Sequence, residues 1–114
     1  MANLTQQDID NILLSNHLLY ENNQYNIENI NQILLYIKRY FVTKTKLISN
    51  KHKITELRRV FRKLSSNMFL SSEDVIIAML HCGFIKEAGK DFFNISEKDY
   101  QTAYKKANPD FYYV

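Results

Sequence analysis

Two glycines and one proline in 114 residues leave this chain few places to turn. All-β folds need a tight turn every few residues, and linker-like chains are rich in both residue types. Their scarcity selects long regular elements, and the spacing of the apolar residues makes those elements helices. Hydrophobic residues are 46% and charged residues 24% of the chain, ordinary material for one packed domain. Seven Phe and eight Tyr supply bulky core side chains. A single Cys excludes an internal disulfide framework and any site of several thiolates. No apolar run approaches the ~18 residues of a membrane span. The opening MANLTQQDID is polar and acidic, unlike a signal peptide. A soluble, cytoplasmic, mainly helical protein is expected.

Thr5, with Asp8 three residues on, predicts a capped first helix. Its stripe of Ile9, Ile12, Leu13, Leu18 and Leu19 runs to about Tyr20. Asn26 caps a second helix with the strongest signal in the chain. Its apolar face is Ile27, Ile30, Ile33, Leu34, Ile37 and Phe41, and it is expected to reach Thr43 or beyond. TKTKLISNKHK reads as a basic loop. Ile54, Leu57, Val60, Phe61 and Leu64 define a third helix, and Ser71 or Ser72 caps a fourth whose run VIIAMLHC is apolar nearly all round. Gly83 suits a left-handed C-terminal residue. Two strand-like runs follow, 84–86 and 92–95, joined by a turn containing Gly89. Ser96 caps a last helix, which Asn108-Pro109 ends. The expected fold is therefore mainly α with a small β-hairpin, in a single domain over 1–114. A helical pair occupies 1–45, a helix-helix-hairpin-helix unit 54–107, and an aromatic tail 108–114. Helices at 54–65 and 72–82 followed by a hairpin give a winged-helix-like order. One departure matters. The second helix of the pair, which would enter a major groove, holds no Lys or Arg and starts with Glu73 and Asp74. Base reading by that helix is disfavoured.

The charge is segregated. Residues 1–37 hold four acidic and no basic residues; 38–63 hold ten basic residues and only Glu56; 64–114 hold five basic and seven acidic ones. A block at +9 within a chain of net charge +3 repels itself unless an anionic partner compensates it. Backbone or single-strand nucleic-acid binding fits such a block. Lys44, Lys46, Lys51, Lys53, Arg58, Arg59, Arg62 and Lys63 are the candidates to contact phosphates, and Tyr40 is the candidate to stack on a base. The same cations could instead meet an acidic protein surface, or form a solvated helix face. Phe111, Tyr112 and Tyr113 in the tail either fold back or anchor a protein partner.

Other chemistry finds little support. His17, His52 and His81 lack ligand spacing, so no metal is expected. Cys82 reads as a buried, inert thiol. No nucleophile elbow or glycine-rich phosphate loop is present, so neither catalysis nor a cofactor is expected.

The stretch KLISNKHKITELRRVFRKL, then LSSEDVIIAMLHCGF and FFNIS, covers roughly residues 46–96. Over it the chain resembles the small accessory proteins of phages and mobile elements of A/T-rich bacteria. More narrowly, it is similar to the single-stranded-DNA-binding companion proteins, the MP group, of the family A polymerase-primases on staphylococcal cassette chromosomes. The resemblance carries over no functional residue. It implies DNA binding without catalysis and association with a replication enzyme. The expectation is a non-catalytic nucleic-acid-binding accessory protein. The alternative is an inhibitor or adaptor that meets a host enzyme through the basic helix and the tail.

Overall fold

A computed structural model of the chain describes residues 3–48 and 50–109. Among them are five α-helices: α1 Gln6–Ser15, α2 Ile27–Tyr40, α3 Ile54–Ser65, α4 Ser72–His81 and α5 Glu97–Ala107, with a 3-10 turn at Asn22–Gln24. The tail residues Phe111, Tyr112 and Tyr113 lie outside the described residues.

The hydrophobic spacing decides what is inside. α2 buries Ile30, Ile33, Leu34 and Ile37, with Phe41 beyond its end. α3 buries Ile54, Leu57, Val60 and Phe61, and the Phe41 and Phe61 rings meet at 5.6 Å. In α4 every residue from Asp74 to Met79 is buried. That continuous run has no polar face to give to solvent, so α4 becomes the axis of the molecule, packed by α1, α2 and α3, while α5 closes against α2 and α3. Each fully buried Ile, Leu or Phe contributes about 1.5–3 kcal/mol.

Side-chain caps set the helix starts. Thr5 Oγ1 accepts from Asp8 N, Asn26 Oδ1 from Asn29 N, Ser71 Oγ from Asp74 N and Ser96 Oγ from Asp99 N. Lys53 has no acceptor to offer α3; there the Glu56 carboxylate accepts from Lys53 N at 3.1 Å.

The ends differ from expectation in two places. α1 stops at Ser15 instead of continuing toward Tyr20. His17 takes a left-handed conformation (φ 55°), and the Leu18 and His17 N–H groups bond back to Leu13 and Leu14 carbonyls. That is a Schellman closure without glycine. Leu18 folds back to pack on the core and Leu19 stands 94% exposed. α2 stops at Tyr40, short of Thr43. Long-range bonds outcompete further helix: Thr43 N donates to Asp99 Oδ2 at 2.9 Å, and Thr45 N to the Asn94 carbonyl at 3.0 Å.

Where a hairpin is expected, the described residues hold only isolated antiparallel bridges, Lys86 with Phe93 and Lys44 with Ile95. The buried Asn94 amide takes the place of a ladder. It accepts from Ile85 N at 2.6 Å and donates to the Thr45 carbonyl at 3.1 Å, joining three extended segments. Gly89 (φ 75°) serves the connecting turn, as its position implies, and Gly83 (φ 88°) closes α4.

The α3–α4 linker is held by Arg62, whose Nε and Nη2 donate to the Leu70 carbonyl at 3.0 and 2.8 Å. Arg62→Ala should lower stability by about 1.5–3 kcal/mol in urea denaturation, the range for hydrogen bonds to a charged group. Lysine should recover only part, lacking the forked geometry.

Candidate nucleic-acid interface

The basic residues do not all fall in one place. Arg58, Arg59, Arg62 and Lys63 occupy the outer face of α3, opposite its buried stripe. Arg58 and Arg62 form one row and Arg59 and Lys63 the next, since residues four apart are neighbours on a helix. Lys53 sits at the head of this face, and Lys46 and Lys51 are exposed in the loop before it. Arg59 and Lys63 also line a groove of about 220 Å³ between α3 and α5, together with Glu56, Tyr100, Tyr104 and Asn108. Lys63 Nζ donates to Asn108 Oδ1 across it.

Lys44 belongs elsewhere. Its ammonium lies 4.8 Å from the centre of the Phe84 ring, and it borders a cleft with Lys38 and Cys82 at the ends of α2 and α4. Tyr40 is half-buried against the core, with the Arg39 guanidinium 5.7 Å from its ring centre. Its face is therefore partly occupied. Burial pushes the Cys82 thiol above its ordinary range, against the pull of Lys38 and Lys44.

Charge balance within the basic block is the decisive electrostatic fact. Among the described residues, Lys44, Lys46, Lys53, Arg58, Arg59, Arg62 and Lys63 form no ion pair with a carboxylate, whereas His52 contacts both Glu56 and Glu97. Glu56, the block's only acid, is engaged with His52 and the Lys53 N–H. Of the acids in the flanking regions, Asp8, Asp74 and Asp99 act in helix caps or long-range backbone bonds, whereas Glu97 turns to His52 and feels the charge of Lys51.

His52 had no role in the sequence pattern, yet it organises the head of this face. Its Nδ1 is 3.1 Å from Glu56 Oε2 and its Nε2 is 2.6 Å from Glu97 Oε2. Its ring stacks on Tyr100 with centres 3.5 Å apart and planes 10° from parallel. Both nitrogens donate when the ring carries both protons. The only sequence trace of this is the i,i+4 spacing of His52 and Glu56; Glu97 is too distant in sequence to foresee. Burial opposes ionisation of Glu97, but hydrogen bonds from Gln101 and His52 outweigh it and hold the carboxyl below its usual range.

Tyr100 is 5% exposed. Burial, reinforced by the Glu56 charge, pushes its hydroxyl up to about 12 from an ordinary 10.0. The fold thus favours the neutral phenol. That contribution is complete below pH 10 and is lost as pH rises from 10 to about 12. Stability measured across this window should fall, and Tyr100→Phe should flatten that part of the decline.

No group of three His, Cys, Asp or Glu among the described residues could hold a metal ion, and no helix among them is long and apolar enough to cross a membrane. Compared with known proteins, the chain matches no family model, no curated protein and no solved structure.

Proposed function

We propose that this chain is a cytoplasmic, non-catalytic DNA-binding accessory protein of the kind that assists replication of a mobile element or phage. The observation that carries the reading is the outer face of α3, where four cations stand without carboxylate partners among the described residues. A face of that charge gains free energy from phosphates by releasing their counterions. The order α3, α4 and the 84–95 loop is read as a winged-helix-like unit used in an unusual sense. α3 meets the DNA backbone, because α4 is enclosed and begins with Glu73 and Asp74. Such contacts follow phosphates and not base edges. Fluorescence anisotropy with a labelled single-stranded oligonucleotide at low salt tests this. Saturable binding is expected, and its absence for both single- and double-stranded DNA would overturn the reading.

A second reading, a protein-binding adaptor or inhibitor, has one observation in its favour. Leu18, Leu80 and Ala88 line a cleft together with Asn16, His17, Lys86 and Gly89, and Leu19 and Ile85, next in sequence to Leu18 and Lys86, stand 94% and 60% exposed. Exposed apolar side chains suit a protein partner, such as a host enzyme met through the basic helix, with Phe111, Tyr112 and Tyr113 as further anchors. Capture from nuclease-treated lysate separates the two readings: one protein retained without nucleic acid favours the second.

A further inference from the structure

We infer that Phe69, with the amide-lined groove beside it, receives an unpaired base of single-stranded DNA whose phosphates lie along α3. The inference rests on the DNA-binding reading and adds the place where a base is held.

Phe69 is 88% exposed and Met68 beside it 66%. A lone exposed apolar residue needs no explanation, but this ring is held out on a fixed backbone. On one side, Asn67 Oδ1 accepts from Phe69 N at 2.9 Å, while the Asn67 amide donates to Asn29 Oδ1 and Gln32 Oε1, each at 2.9 Å. On the other side, Leu70 is fully buried and its carbonyl is gripped by Arg62. The backbone at Phe69 is thus held through Asn67 before it and Leu70 after it, and the ring stands in solvent. A backbone held before binding reduces the entropy lost when a base stacks on the ring it carries.

Phe69 forms one wall of a groove of about 390 Å³. Asn23, Gln24, Asn26 and Asn29 line it, along with Tyr25. The one charged residue there, Asp74, is already bonded to Asn26 N, Asn29 Nδ2 and Ser71 N. Among the described residues the Asn23 amide and the NH2 groups of Gln24 and Asn26 have no hydrogen-bond partner. Neutral amides of this kind offer donors and acceptors to base edges, as Asn and Gln do toward adenine. A groove for phosphate would carry cations; this one carries amides and an aromatic wall.

The phosphate row is adjacent. Arg62 touches Leu70, the residue after Phe69, and Arg58 lies one turn earlier, about 6 Å along α3. Phosphates of a stacked strand recur every ~3.4 Å, so ring and row fall within a few nucleotides of each other. Tyr40, half-buried with Arg39 over its ring, is less available for stacking.

Two strands of equal length, one normal and one abasic, test this in parallel. Phe69→Ala should bind the normal strand roughly tenfold or more weaker, the cost of losing one stacked base. Its affinity for the abasic strand and its salt dependence should match wild type, and its circular dichroism should be unchanged. Phe69→Trp should keep the affinity. Because the chain has no other Trp, its fluorescence should be quenched by the normal strand and not by the abasic one. If Phe69→Ala binds the normal strand as wild type does, while reversal of Arg58 and Arg59 weakens it, the stacking site is wrong and the phosphate face stands. If the wild type binds neither strand, both readings fall.

Discussion

Asp74→Ala should cost roughly 3–5 kcal/mol of stability, as much as truncating a large side chain of the core. Asp74 is 1% exposed. Its Oδ1 accepts from Asn26 N at 2.7 Å, and its Oδ2 accepts from Ser71 N at 2.9 Å and Asn29 Nδ2 at 3.3 Å. One carboxylate therefore joins the start of α2, the α3–α4 linker and the first turn of α4. It also sits at the positive end of α4, where a negative charge is favoured. Alanine would leave several donors unsatisfied in a site with little access to water, each at about 1–3 kcal/mol. A domain of this kind has only ~5–15 kcal/mol in total, so the variant should be partly unfolded at modest urea concentrations. Asp74→Asn keeps an acceptor and should lose less. A loss under about 1 kcal/mol for Asp74→Ala would mean that the carboxylate does not join these three segments.

On the functional side the largest effect is expected from Arg58→Glu with Arg59→Glu. Arg62 and Lys63 are left in place because they hold Leu70 and Asn108; reversing them would confuse a folding defect with a binding defect. Each phosphate contact on a single strand contributes about 0.7 to the slope of log K against log salt. Losing two contacts should make the slope about 1.4 shallower and, with two added negative charges, reduce affinity at moderate salt roughly a hundredfold. Helical content should not change, since neither side chain is part of the buried stripe of α3.

Much of the fold was legible because local signals and burial agree. Asn26, Ser71 and Ser96 cap the helices that their positions imply, and the all-apolar run of α4 lies at the centre of the core. What was hidden came from contacts distant in sequence. Nothing near Thr43 announces that Asp99 will take its N–H and end α2. Nothing near Asn94 announces that its side chain will stand in for a strand ladder. With only two glycines, the chain places His17 and Ser66 in the left-handed positions that close α1 and α3, and neither residue type is a strong marker of such a position. The cations of α3 were legible as a helix face, because charge and periodicity sit on the same residues. Which of them also hold the structure was not: the bond from Arg62 to Leu70 depends on how the linker returns. No periodicity or motif marks Phe69 in the sequence; its exposure and the held backbone around it single it out.

What most needs testing is that the cations of α3, which have no carboxylate partner among the described residues, bind phosphates. The most direct measurement is the affinity of the wild-type protein for a single-stranded oligonucleotide across a series of salt concentrations. Four to seven phosphate contacts should give a slope of log K against log salt of roughly −3 to −5, shallower in the Arg58→Glu, Arg59→Glu variant. A slope near zero, or the same slope and affinity in the variant, would contradict the account.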